Sequence, residues 1–238
     1  MELFDMPALL GANAYPGRGI ILGLCPDGHT AALAYFIMGR SENSRNRAFV
    51  RKNGDVGIHV LDSAKLADPA LILYTPVRTL MRTVIVTNGD QTDTIAEAVL
   101  AGRTFEQALE TRRFEPDAPH FTPRISGMLR FSPAFSYKLS ILKAGDGEGK
   151  TTFRQVFGYE PMEGVGHFIH TYQKDATPLP SFSGEPVPVR IPADLDGFAK
   201  ALWNGLHPEN KVALYVRYTD VTSGAYRDAL YNKYASED

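Results

Sequence analysis

A layered α+β domain is the fold this sequence predicts. Three observations carry it: apolar runs of strand length fill residues 19–87, two capped segments follow over 94–113, and strand-like runs resume beyond Pro123. Blocks of strands and blocks of helices, rather than strict alternation, argue for stacked sheets with helices outside. The 238 residues, 44% of them hydrophobic, can bury a sizeable core, and one domain over 1–238 is expected.

Residues 19–24 and 30–38 are apolar runs separated by Cys25-Pro26-Asp27-Gly28-His29. Pro presets φ and Gly tolerates positive φ, so the pair reads as a buried hairpin. Residues 71–74, just before Thr75-Pro76, and residues 83–87 predict further strands, with a turn at Arg51-Lys52-Asn53-Gly54-Asp55. From Thr94 the pattern changes to Ile95, Ala98 and Val99, with Thr94 and Glu97 at capping-box spacing and Gly102 at the expected C′ position. A second box, Thr104 with Gln107, opens a helix over 104–113. Residues 137–142 and 151–157 read as a hairpin through the acidic, Gly-rich turn 145–149, and 165–172 as another strand. The stretch 177–192 carries five prolines and reads as an extended connection. Residues 194–206 and 224–234 predict closing helices, the first with Leu195, Phe198, Ala199 and Leu202 on one face.

A net charge of −2 removes the positive field that a non-specific nucleic-acid binder needs. A single cysteine, Cys25, forms neither an intramolecular disulfide nor a metal cluster, which points to a reducing compartment. His167 and His170 fall on opposite faces of a strand, which separates them as metal ligands. No apolar run approaches the roughly 20 residues that span a bilayer. The acidic start, Met1 to Met6, lacks the basic region of a secretory signal. A cytoplasmic location without metal or membrane contact is expected.

Candidate site residues gather in three places. Asn88-Gly89-Asp90-Gln91-Thr92-Asp93-Thr94-Ile95 joins a predicted strand to a predicted helix, where small ligands are commonly held. Asp90 and Asp93 would repel phosphate there, so Asn88, Gly89, Asp90 and Thr92 suit a neutral amide or heterocycle. The alternative for Asn88-Gly89 is a type I′ turn. Residues 40–52 hold Arg40, Arg45, Arg47, Arg51 and Lys52 against Glu42, a local excess of +4. Guanidinium groups of this kind, with Asn46 beside them, suit a phosphate, and a solvated loop is the rival reading. Glu115, Asp117 and Arg124 sit in a segment stiffened by Pro116, Pro119 and Pro123, as a positioned acid and cation or as an ordinary connection. Tyr74 is either a proton donor or rim packing.

Four motifs, Tyr15-Pro-Gly-Arg-Gly19, Gly39-Arg-Ser-Glu-Asn-Ser-Arg-Asn-Arg47, Asn88-Gly-Asp-Gln-Thr-Asp-Thr-Ile95 and Thr122-Pro-Arg-Ile125, resemble the archaeal-type IMP cyclohydrolases in content and order. The likeness covers about residues 15–130, with Thr171-Tyr172 as a later match. It implies a four-layer αββα fold like that of the N-terminal-nucleophile hydrolases, without the terminal nucleophile. It further implies closure of 5-formamidoimidazole-4-carboxamide ribotide to IMP, the last step of purine synthesis, with a purine ribonucleotide as partner and no cofactor. By motif, the family's active-site arginine falls on Arg47, its tyrosine on Tyr74 and its glutamate on Glu115. Asn88 would bind the amide and Arg124 would order Glu115. The interval from Glu115 to Thr-Pro-Arg is one residue longer than the family's, so Asp117 stands as an alternative acid. The segment before Tyr15 and the proline-rich stretch after Thr177 depart from the family pattern. A homo-oligomer is expected. Two other functions stay open: a nucleotide-binding regulator without turnover, and an amidohydrolase on the same fold.

Overall fold

The computed structural model describes residues 1–65 and 69–234. Its first half runs α1 (Met6–Gly11), β1 (Arg18–Leu24), β2 (Thr30–Met38), α2 (Glu42–Arg45), β3 (Arg47–Lys52), β4 (Asp55–Val60), α3 (Pro69–Ile72), β5 (Val77–Leu80) and β6 (Thr83–Thr87). Then come α4 (Gln91–Leu100), α5 (Phe105–Glu110), β7 (Arg124–Arg130), β8 (Ser136–Ala144), β9 (Thr152–Tyr159) and β10 (Val165–His170). The chain closes with β11 (Val187–Arg190), α6 (Leu195–Gly205), β12 (Lys211–Asp220) and β13 (Tyr226–Asn232). The strands form two antiparallel sheets, β11-β10-β1-β2-β12-β13 and β3-β4-β5-β6-β7-β8-β9.

Strand β2 explains how they are covered. Side chains alternate along a strand, so Ala32, Ala34, Phe36 and Met38 face one way while Leu33, Tyr35 and Ile37 face the other. Both faces are buried, which is why the stretch reads as an unbroken apolar run. The first set meets Met6 and Leu10 of α1 and Leu195, Phe198 and Leu202 of α6. The second meets Phe49, Val84, Val86, Ile125 and Leu139 of the other sheet. Beyond that sheet, Ile85, Met128 and Leu142 pack on Ile95, Ala98, Phe105 and Leu109 of α4 and α5. Gly127 marks a point where the sheets crowd together: a β-carbon there would stand 2.8 Å from Leu22 Cδ1 and 2.9 Å from Val86 Cγ1.

Local chemistry accounts for the expected turns and caps. In the β1–β2 hairpin the Asp27 carboxylate accepts from the N–H groups of His29 and Thr30. Between β3 and β4, Asn53 and Gly54 take φ of 52° and 87°, as a primed turn requires. Thr104 caps α5 and Gln107 returns the bond, both halves of the box being present. Thr104→Ala is expected to lower stability by about 1 kcal/mol. A shifted urea midpoint at constant slope would report it, and an unmoved midpoint would refute it.

Four expectations are corrected. Residues 71–74 are not a strand: Pro69, preorganised for a first helical position, opens the turn α3, and Leu73 N–H closes on Pro69 O at 2.8 Å. Residues 224–234 are not a helix but contain β13, which pairs along β12 from Thr219↔Tyr226 to Ala213↔Asn232. Leu230 turns to the layer between the sheets while Ala229 and Tyr231 turn the other way, a period of two that the short segment concealed. Helix α4 starts at Gln91 rather than Thr94, and no side chain caps it. The proline-rich stretch contributes the edge strand β11, where Pro188 is tolerated. Among the described residues, no helix is long and apolar enough to cross a membrane.

Candidate active site

Strand order brings five segments to one end of the two sheets, around a cleft of about 250 Å³. The first sheet supplies the start of β1 (Arg18) and the residues after β10 (Tyr172) and β2 (Arg40). The second supplies the start of β3 (Arg47) and the loop before β7 (Glu115 to Thr122). All of these line the cleft or flank it.

Arg18 is pinned by a crossing of backbones. Its N–H donates to Thr171 Oγ1 at 3.1 Å, its carbonyl accepts from Thr171 N–H at 3.0 Å, and Tyr172 N–H donates to Pro16 O at 3.1 Å. The Tyr172 ring stacks on Tyr15 at 5.8 Å, and the Arg40 guanidinium lies 5.0 Å from the Tyr15 centroid while pairing with Asp175 at 2.5 Å. Among the described residues, Arg18 Nε is buried without a hydrogen-bond partner.

Arg47 is 1% exposed. Its Nε donates to Ser44 O at 3.1 Å, and its Nη1 is buried without a partner among the described residues. Burial, then the nearby charge of Arg18, pull its pKa down, yet a guanidinium stays charged at any physiological pH. An unsatisfied buried cation is unfavourable, and an incoming oxygen would relieve it.

Glu115 is 2% exposed, and its N–H is held by Thr122 O at 2.9 Å. Burial raises its pKa, and the attraction of Arg18, Arg124 and Arg47 offsets this only in part. Arg124 Nη1 stands 3.9 Å from Glu115 Oε1 but closer to Asp90 Oδ1, at 2.6 Å, and to Gln91 Oε1, at 2.7 Å. Gly89 makes this packing possible: a β-carbon there would sit 2.3 Å from Arg124 Nη1 and 3.2 Å from Glu115 Oε1. Asp90 is held below the usual carboxylate range because Arg112 and Arg124 outweigh its burial.

Tyr74 stands behind this wall, its hydroxyl 2.9 Å from that of Tyr35. Burial holds the Tyr35 hydroxyl well above its usual pKa, so it is a neutral phenol.

Of the residues singled out from sequence, Arg47 and Glu115 line the cleft; Arg124, with Gly89 and Asp90, stands against Glu115 outside that lining, and Tyr74 lies outside it against Tyr35. Others do not reach the cleft. Asn88 donates to Pro123 O and accepts from Ile125 N–H and Gln91 Nε2, which engages its amide in joining β6 to β7. Thr92 Oγ1 bonds Thr87 Oγ1 and Gly89 O. Asn46 exchanges two bonds with the Asp62 backbone, and Arg45 donates to Gly39 O and Asn210 Oδ1. In each case a loop backbone takes the polar group that the sequence left apparently free for a ligand. Asp117 lines the cleft, but Thr122 occupies its carboxylate through both N–H and O–H. Arg18 and Tyr172 escaped selection although each lies in a quoted motif. Nothing local distinguishes an arginine at a strand start; only the β1–β10 pairing sets the two side by side.

Among the roomier clefts, two of about 360 and 590 Å³ lie beside α5 and between α1 and α6. Neither contains a buried acid facing an unpartnered buried cation.

An IMP cyclohydrolase from Methanopyrus kandleri is 32% identical over 146 residues, which cover 57% of this chain and 72% of that protein. The family model described as IMP cyclohydrolase-like protein matches residues 15–224, beginning at the tyrosine that stacks on Tyr172 and taking in every cleft segment named above. With that match running through most of both sheets, the chain belongs to the IMP cyclohydrolase-like family.

Proposed function

We propose that this protein is an IMP cyclohydrolase, closing 5-formamidoimidazole-4-carboxamide ribotide to IMP with loss of water. The observation that carries the reading is a buried glutamate of raised pKa sharing one cleft with two guanidinium groups that lack full protein partners. Similarity to the Methanopyrus kandleri IMP cyclohydrolase and the family match support it. The stacking of α1 and α6, two sheets, and α4 with α5 supports a four-layer αββα arrangement of the kind found in N-terminal-nucleophile hydrolases.

The two reacting groups already sit on adjacent ring positions, so holding them in the reactive rotamer supplies much of the rate. The carboxamide nitrogen attacks the formyl carbon, and the Glu115 carboxylate takes a proton from that nitrogen. Negative charge develops on the formyl oxygen, where Arg47 opposes it and Tyr74 supplies a proton. The resulting hydroxyl departs as water with the proton held by Glu115. The formamide N–H proton passes to the Tyr74 phenolate, which completes the carbon–nitrogen double bond and restores the phenol. Arg124 keeps Glu115 in place, and Arg40 with Ser41 and Ser44 at the lip of the cleft receives the phosphate.

An absorbance assay with the formylated ribotide tests this, since ring closure creates the hypoxanthine chromophore. Wild-type protein is expected to turn over, and Tyr74→Phe to lose about a hundredfold in kcat. Tight IMP binding without turnover would instead make the protein a nucleotide-binding regulator. Wild-type rates in Tyr74→Phe would remove the proton from Tyr74's account.

A further inference from the structure

A chain of three hydrogen-bonding groups enters the cleft from the loop before β7. The Asp117 carboxylate accepts from Thr122 N–H at 2.6 Å and also from the Thr122 hydroxyl. A carboxylate has only acceptors, so the Thr122 hydroxyl hydrogen is committed to it. Thr122 Oγ1 also lies 2.6 Å from the Tyr172 hydroxyl, a contact that could run either way in isolation. With the threonine hydrogen already engaged, the direction is fixed: Tyr172 donates and Thr122 accepts. Burial keeps Tyr172 a neutral phenol, its pKa pushed up to about 12. A phenol has one hydrogen. Once that hydrogen is given to Thr122, only a lone pair is left to offer a ligand.

The cleft, lined also by Arg40 and Arg47, therefore presents two acceptors, Tyr172 Oη and the Glu115 carboxylate, together with Arg18, whose Nε lacks a partner among the described residues. Two acceptors next to one donor complement a primary amide, which has two N–H bonds and one carbonyl oxygen. A carboxylate matches this set poorly, since one of its oxygens would meet a lone pair. We infer that Arg18, Glu115 and Tyr172 form a carboxamide reader, in which Tyr172 acts as an obligate acceptor that excludes a carboxylate at the same ring position. The inference rests on the cyclohydrolase reading and adds to it the residue that selects the nucleophile. The same geometry denies Tyr172 the role of proton donor to the formyl oxygen.

The test is titration calorimetry with 5-aminoimidazole-4-carboxamide ribotide and with its 4-carboxylate counterpart, on wild type, Tyr172→Phe and Thr122→Val. Wild type is expected to favour the carboxamide by about tenfold or more, and Tyr172→Phe to lose about tenfold in carboxamide affinity. Thr122→Val leaves the tyrosine in place but frees its hydrogen to donate. Carboxylate binding should then rise while carboxamide binding falls, which a merely structural threonine would not produce. An unchanged preference in Tyr172→Phe, or wild-type preference in Thr122→Val, overturns the inference. If wild type still closes the formylated ribotide in that case, the proposed reaction survives. Failure of wild type both to bind either ribotide and to turn over would remove the two together.

Discussion

Glu115→Gln is expected to lower kcat by about 10³, within the range of lost proton-transfer catalysis, and to abolish the acid limb of the pH–rate profile. The sign follows from the direction of the shift. Burial holds the Glu115 pKa above its ordinary value of 4.5, and a base must be ionised, so wild-type kcat/KM should climb with pH and level off only above that value. Glutamine cannot titrate, so its residual rate should be flat across the same interval. Stability should change in the opposite sense. A group whose folded pKa is raised contributes stability that is complete below its unfolded pKa and is lost as pH rises through the folded one. Above both values the variant should melt no lower than wild type. A retained acid limb in Glu115→Gln would hand the base role to another group.

Arg47→Met should reduce kcat/KM by about 10³ while leaving the fold at least as stable as wild type. The guanidinium is buried, donates through Nε to Ser44 O, leaves Nη1 unpartnered and is repelled by Arg18. Methionine fills comparable volume without a charge to desolvate. Arg47→Lys keeps the charge but loses the fork that can face an oxyanion, and should recover only a small part of the rate. Denaturant titrations beside the absorbance assay separate the two effects. A large loss of stability in Arg47→Met would assign Arg47 to the scaffold rather than the chemistry.

Much of the architecture was legible wherever one local interaction decides the outcome. The β1–β2 hairpin follows from Pro26-Asp27-Gly28 between apolar runs, and α5 from the Thr104–Gln107 box. Elements set by distant partners were harder to read. Strand β12 joins β2 to β13 in the first sheet; Pro208 and the Asp220–Gly224 turn flank it, but without its pairing β13 resembled a closing helix. The same division runs through the candidate site. Arg47 could be singled out from the motif that contains it, Glu115 from its proline-stiffened segment and Tyr74 from its place before Thr75-Pro76. Asn88 and Thr92 looked ligand-facing because polar residues between apolar elements invite that reading. Their real partners, the backbone at Pro123, Ile125 and Gly89, become visible only once β6 and β7 pair. Arg18 and Tyr172 gained meaning only from the meeting of β1 with β10.

Arg18 rides on one sheet, while Arg47 and Glu115 ride on the other. The apolar filling between them, tightest where Gly127 faces Leu22, is thus a spacer whose thickness sets the gap across which the opposed charges work. Interior volume and reactivity are mechanically coupled in such an arrangement. One extra methyl group far from any reacting atom would tilt the jaws of the site before it threatened the fold.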